Sequence, residues 1–122
     1  MMEVRTFDMP SAWRNELARL WVERLRILPD MRICLAAGNT PEPVCREVVR
    51  LQQAGEVSFR ESQIFVLDEY GGLAPENPGR CANMIRRYLV DHVDLRAEQF
   101  HSLATETDDL DTVCTQFDGK TS

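Results

Sequence analysis

Histidine and paired cysteines are what this chain most lacks. It has two histidines, His92 and His101, and its four cysteines, at 34, 45, 81 and 114, form no Cys-x-x-Cys pair. The usual donor sets for a zinc site are therefore missing. Basic residues are outnumbered, 14 against 20 acidic, for a net charge of -6. That balance speaks against a nucleic-acid binder working by general phosphate attraction, although a local pocket can still take a small anion. No apolar run approaches the ~20 residues that span a membrane, and the opening "MMEVRTFDMP" has no apolar signal core. Repeats, low-complexity tracts and linkers are absent, as are the Walker and G-x-G-x-x-G fingerprints. The cysteines read as reduced thiols of a cytoplasmic protein.

What is there suits one domain over residues 1–122. The chain is 43% hydrophobic and 28% charged, enough to bury a core and stay soluble. Ser11 is placed to cap a helix starting at Ala12, in which Trp13, Leu17, Leu20, Trp21, Leu25 and Leu28 recur at helical spacing. Pro29-Asp30 ends it. "RICLAA" (32–37) reads as a buried strand, and a helix follows from about Pro41 to Ala54 with Gly55 as its stop. "QIFVL" (63–67) is a second buried strand. A third helix is expected over about 80–90, with Met84, Ile85, Tyr88 and Leu89 inward. A short third strand is expected near 99–103, and a fourth helix over 108–117, capped by Asp108 or Asp109. The acids from Glu106 to Asp111 read as its solvated start. Both histidines read as structural or surface residues.

Strands alternating with helices predict an α/β fold, a Rossmann-like parallel sheet with flanking helices. Ligands of such sheets sit beyond the carboxyl ends of the strands. Two segments occupy that place. "GNTP" (38–41) joins a strand to a helix, with a permissive glycine, a threonine at the cap position and a proline suited to the first helical turn. It serves either simple helix initiation or an anion held by free N–H groups and the helix dipole. Pro43 removes a donor there and Glu42 adds a negative charge, leaving Asn39, Thr40, Glu42 and Val44 as N–H donors. "FVLDEYGGL" (65–73) ends a strand in Asp68-Glu69. A carboxylate at a strand tip is either a turn residue or a group held over a cleft for chemistry.

Together these segments resemble the amino-terminal half of the glucosamine-6-phosphate deaminase/6-phosphogluconolactonase family. That family has a strand, a "G-[GS]-T-P" phosphate loop, a helix, and a strand ending in "DEY" or "DER". Here they stand as "LAAGNTP" at 35–41 and "FVLDEYGGL" at 65–73, with "NPGRCANMIRRYLVDHVDL" at 77–95 similar to the helix that follows. The likeness runs from about Arg5 to Phe117. Tyr70 resembles the deaminase branch, since lactonases tend to have Arg there. Family deaminases also carry a later Asp-Gly-His segment and phosphate-binding Arg and Lys, which do not occur before Ser122, so the chain resembles a truncated or split form.

The resemblance implies a deaminase that converts an aminosugar phosphate to fructose 6-phosphate and ammonia in its complete form. Asp68 would be the base that moves a proton from C2 to C1, made more basic by burial beside Glu69, a second catalytic candidate. Glu69 is equally suited to bonding backbone N–H groups in the turn. Gly38, Asn39 and Thr40 would hold the substrate phosphate. No metal and no cofactor are implied, and the partner is a small phosphorylated sugar, with neither nucleic acid nor membrane. Two alternatives stand beside this reading, a 6-phosphogluconolactonase-type hydrolase and a catalytically inactive sugar-phosphate-binding remnant. A truncated sheet exposes an unpaired edge, so a homo-oligomer or self-association through that edge is expected.

Overall fold

The apolar runs become the strands they predict. The computed structural model describes residues 3–105 and 107–121. Strands β1 (Arg32–Leu35), β2 (Gln63–Val66) and β3 (Phe100–His101) are parallel and lie in the order β1-β2-β3. Helix α1 (Pro10–Ile27) precedes β1, α2 (Pro41–Gln53) joins β1 to β2, α3 (Cys81–Tyr88) lies between β2 and β3, and α4 (Leu110–Thr121) follows. The α/β expectation is met.

Side chains alternate across a strand, so Ile33, Leu35, Ile64 and Val66 share one face, and Cys34 and Phe65 the other. Ile33, Ile64 and Val66 pack in one core with Ala18 and Leu25 of α1, Val44, Cys45 and Val48 of α2, and Ala82, Ile85 and Tyr88 of α3. Those three helices therefore cover the inner face. On the outer face Phe65 stacks on His101 at 4.6 Å between ring centroids and meets Phe117 of α4 edge-on at 6.0 Å. β2 is buried on both faces, as its unbroken apolar run requires.

Several local expectations are corrected. Ser11 does not cap α1: the helix begins two residues earlier than expected, at Pro10, which fits the first helical position, and Met9 precedes it without a side-chain cap. The buried residues of α1 are Ala18, Val22 and Leu25, whereas Leu17 and Leu28 are 47% and 54% exposed and both tryptophans are only partly buried. β1 is not a buried strand: it stops at Leu35, and only Ile33 is buried, because β1 lies at the sheet edge. Leu67 falls outside β2 and is exposed. β3 is two residues long, and Gln99 belongs to the turn before it. Gly55, at φ +82°, stops α2 as expected: its N–H and that of Glu56 reach back to the carbonyls of Gln52 and Leu51 at 2.9 and 3.1 Å. Of the two candidate caps for α4, Asp109 takes the role, accepting from the Thr112 N–H at 3.2 Å. Asp108 and Asp111 are exposed, while Glu106 lies outside the described residues.

So short a β3 needs another anchor, and the Gln99 side chain supplies it. Gln99 is buried, and its Nε2 donates to the carbonyls of Phe59, Arg60 and Ser62 at 2.9, 2.8 and 2.7 Å. Its Oε1 accepts from the Arg96 backbone N–H at 2.9 Å. One amide thus ties the entry of β3 to the entry of β2. Gln99→Leu keeps the volume but strands these groups, and each buried polar group left unpaired costs about 1–3 kcal/mol. The expected loss of stability is roughly 2–4 kcal/mol by urea unfolding, and a loss below ~0.5 kcal/mol, the range of an ordinary surface change, would refute the anchoring role.

Candidate functional site

Both loops singled out in the sequence leave the carboxyl edge of the sheet. Leu35 pairs with Val66 in register, and the Leu67 N–H donates to the Leu35 carbonyl at 2.8 Å, the last rung before the chain opens into them. In the first loop Gly38 adopts φ +130°, which favours glycine. Thr40 stands at the cap position of α2 in a helical conformation, without a side-chain cap bond. The donors expected there are reduced by two. The Glu42 N–H turns back to the Gly38 carbonyl at 3.3 Å. Val44 is the fourth helical residue, where the intrahelical ladder takes the N–H. That leaves the N–H groups of Asn39 and Thr40, both exposed residues, with no partner among the described residues. The Glu42 carboxylate is held by Arg46, Nε to Oε2 at 2.9 Å, which offsets its charge near the loop. Beneath the loop Tyr88 and Cys45 are buried. Burial and nearby Cys45 push the Tyr88 hydroxyl up to about 12, and burial with the Glu42 charge pushes the Cys45 thiol up to about 12. Both stay neutral and serve as floor.

The second loop divides its two carboxylates. The Glu69 side chain is 0% exposed. Its Oε1 accepts from the N–H groups of Tyr70 and Cys81 at 3.0 and 2.7 Å, and its Oε2 from that of Ala82 at 3.0 Å. Cys81 and Ala82 are the first two residues of α3, so this carboxylate caps a helix from twelve residues upstream. Arg80, also buried, brings its Nε to 3.5 Å from Oε2 and donates from Nη2 to the Leu103 carbonyl at 2.8 Å. Burial raises the Glu69 pKa, but the three N–H bonds and the Arg80 charge outweigh it and hold the group below the usual carboxylate range. Burial, then the Glu69 charge, pushes the Cys81 thiol up to about 11, so it is no nucleophile at neutral pH. Asp68 differs: it is exposed, so the burial expected of it is absent in this chain. With Glu69 pinned inward, Asp68 is left at the open rim.

Asp68 and Gly38–Thr40 thus share one edge of the sheet but not one cavity. A groove of about 820 Å³ is lined by Gly38, Asn39 and Thr40 together with residues of α1 and β1, and neither Asp68 nor Glu69 lines it. Of the histidines, His92 Nε2 bonds the Arg87 carbonyl at 2.8 Å and His101 Nε2 bonds Gln63 Oε1 at 2.7 Å. All four cysteines are free. Among the described residues no cluster of His, Cys, Asp and Glu could hold a metal, and no helix is long and apolar enough to cross a membrane. Sequence reasoning missed Arg80 as a partner of Glu69. The signal available was an arginine at the start of a helix, twelve or fewer residues from an acidic strand tip, which spacing alone does not single out.

The sequence matches the family described as glucosamine-6-phosphate isomerases/6-phosphogluconolactonase over residues 8–120. A glucosamine-6-phosphate deaminase of Bacillus pumilus is 30% identical over 117 residues, 96% of this chain and 48% of the relative. One of Actinobacillus pleuropneumoniae is 34% identical over 125 residues, 98% of this chain and 46% of the relative. The chain spans about half the length of the curated relatives it matches. Among solved structures, a monomeric glucosamine-6-phosphate deaminase superposes with a TM-score of 0.92 at 26% identity, over 98% of this chain and 49% of its own. A 6-phosphogluconolactonase from Thermotoga maritima shares the fold, with a TM-score of 0.77 at 18% identity over 95% of this chain and 51% of its own.

The Glu69 clamp makes a pH-dependent prediction. Its folded pKa is depressed, so the stability it contributes is present above the ordinary value of 4.5 and is lost as pH falls through the lowered folded value. Glu69→Gln keeps one acceptor oxygen and removes the charge. It is expected to destabilise the chain at pH 7 by about 1–3 kcal/mol and to flatten the fall in stability below pH 4.5. Equal acid sensitivity of wild type and variant in chemical denaturation would rule the clamp out as a source of that fall.

Proposed function

Because the chain belongs to the family of glucosamine-6-phosphate isomerases and 6-phosphogluconolactonases, we propose that it is the amino-terminal half of a single deaminase-type domain. In complete form this domain converts glucosamine 6-phosphate to fructose 6-phosphate and ammonia. The observation that carries the reading is the placement of Gly38–Thr40 and Asp68 at the carboxyl ends of two adjacent, hydrogen-bonded parallel strands. The Asn39 and Thr40 N–H groups at the start of α2 suit the substrate phosphate. Asp68 takes the C2 proton of the open-chain sugar and returns it to C1, and water then replaces the C2 nitrogen, which leaves as ammonia. Glu69 is a positioning residue in this scheme, since its lone pairs are already engaged by Tyr70, Cys81 and Ala82.

Tyr70 after the Asp-Glu pair, and the deaminases among the curated relatives, favour a deaminase over a lactonase. The exposure of Asp68 favours weak chemistry in this chain alone, since a base is tuned by water exclusion. The chain by itself therefore binds sugar phosphate more readily than it turns it over. Free thiols, two of them buried, suit a reducing compartment, and the cytoplasm is the proposed location.

Amide NMR with glucosamine 6-phosphate tests the loop. Asn39 and Thr40 should shift at millimolar ligand without ammonia release, and an unmoved loop would remove the phosphate assignment. In a family deaminase completed by its second half and carrying this front half, Asp68→Asn should lower kcat by at least ~10²-fold with KM little changed. An unchanged kcat would end the base assignment.

A further inference from the structure

Tyr88 is 1% exposed, yet its hydroxyl makes no hydrogen bond among the described residues. Buried polar groups are nearly always paired, and an orphan in a folded core calls for a reason. Phenylalanine would pack the same ring without the cost of an unpaired hydroxyl.

The place of the phenol supplies the reason. Tyr88 is the last residue of α3, and helical side chains lean back towards the start of their helix. The ring therefore runs back along α3 through the core, towards the carboxyl edge of the sheet where α3 begins. The groups whose charges act on the hydroxyl all belong to that edge: Cys45 and Glu42 in the first two turns of α2, and Cys81 at the start of α3. Of the backbone, the Gly38 N–H faces the phenol oxygen, and the two stop short of a hydrogen bond. The hydroxyl thus lies under the first residue of the loop whose next two N–H groups, those of Asn39 and Thr40, are without partners among the described residues.

The loop has room to settle. Gly38 has φ +130°, and an atom added at its Cβ position would meet nothing within 4 Å. Glycine is needed there for its backbone angle and not because the loop is wedged against a neighbour. An anion gathers the N–H groups of successive residues about itself. Drawing those of Asn39 and Thr40 onto a phosphate group also turns the Gly38 peptide that precedes them.

We propose that Tyr88 is a positioning residue for the anion loop: its hydroxyl accepts the Gly38 N–H when Asn39 and Thr40 hold a phosphate group, and so fixes the loop in its binding position. The proposal rests on the reading of Gly38–Thr40 as a phosphate loop and adds to it a residue 48 positions beyond Thr40. Tyr88 acts through Gly38 and does not touch the ligand. Burial and nearby Cys45 push the phenol up to about 12, so it stays neutral and brings no negative charge under the anion.

Tyr88→Phe is the test, read by amide NMR on the chain titrated separately with glucosamine 6-phosphate and with inorganic phosphate. In the wild type the Gly38 amide should move downfield as Asn39 and Thr40 shift, because it gains a hydrogen bond. In the variant that movement should vanish, and both ligands should bind about 5- to 10-fold more weakly. The factor should be the same for the two, since the hydroxyl acts on the loop and not on the sugar. The free variant should melt at the same temperature as the wild type or higher, because an unpaired buried hydroxyl has been removed. Equal affinity in variant and wild type would overturn the proposal and leave the phosphate loop standing. A variant that binds weakly but also melts lower would overturn it too, since the hydroxyl would then be structural. Asn39 and Thr40 amides that stay unmoved in the wild type would remove the loop reading and this proposal together.

Discussion

The Glu69 carboxylate is the constraint on which the open edge of this sheet depends. It gathers the N–H groups of Tyr70, Cys81 and Ala82 onto two oxygens, and Arg80 stands beside it while also holding the Leu103 carbonyl. One buried charge therefore joins the tip of β2, the start of α3 and the segment after β3. A carboxylate buried without such partners would neutralise or fail to fold. With them it becomes a fixed point. The chain's two adjacent acids are then not alike: Glu69 is engaged on every side, and Asp68, one residue earlier, is left free at the rim. The loop beyond is held from the other flank by the Thr105 hydroxyl, which donates to the Tyr70 carbonyl at 2.8 Å.

The Gly38–Thr40 loop, proposed above to hold phosphate, is supported differently, from below. Tyr88 and Cys45 fill the space under Gly38 and stay neutral, so no charge in the floor opposes an anion. The loop's weakness lies in its donors. Pro41 and Pro43 have no N–H, and Glu42 spends its own on Gly38. Two N–H groups and a helix dipole of about half a charge do not hold a sugar phosphate tightly.

Much of this was legible in the sequence, and the errors share a cause. The α/β alternation, the parallel sheet, the Gly55 stop and the positions of both loops follow from local pattern, because turn chemistry and strand periodicity act over a few residues. The misreadings concern what lies opposite. "RICLAA" has the composition of a buried strand, yet β1 is an edge strand with one buried residue. Of the stripe Trp13, Leu17, Leu20, Trp21, Leu25 and Leu28 only Leu25 is fully buried, and the core adds Ala18 and Val22, which the stripe did not include. Asp68 reads as buried because strand tips in such sheets are usually covered. Each expectation assumes a neighbour that the described residues do not supply. Gln99 and Arg80 were missed for another reason: their partners lie 37 to 40 and 11 to 23 residues away, and no local pattern encodes such bonds.

The exposed stripe carries an energetic argument. Burying one large apolar side chain is worth about 1.5–3 kcal/mol, so four partly exposed ones forgo several kcal/mol, comparable to the ~5–15 kcal/mol stability of a whole domain. Trp13 and Trp21 are only partly spent on the core, Trp21 edge-on against Phe59 at 6.1 Å, while Leu17 stays 47% exposed. Anything that covers them stabilises the folded chain by mass action. The same groove is lined by Gly38, Asn39 and Thr40, so whatever fills it also bears on that loop. The partly exposed face of α1, the edge of β1 and the Gly38–Thr40 loop thus meet in a single groove, so burial of that apolar surface and the surroundings of the loop are coupled.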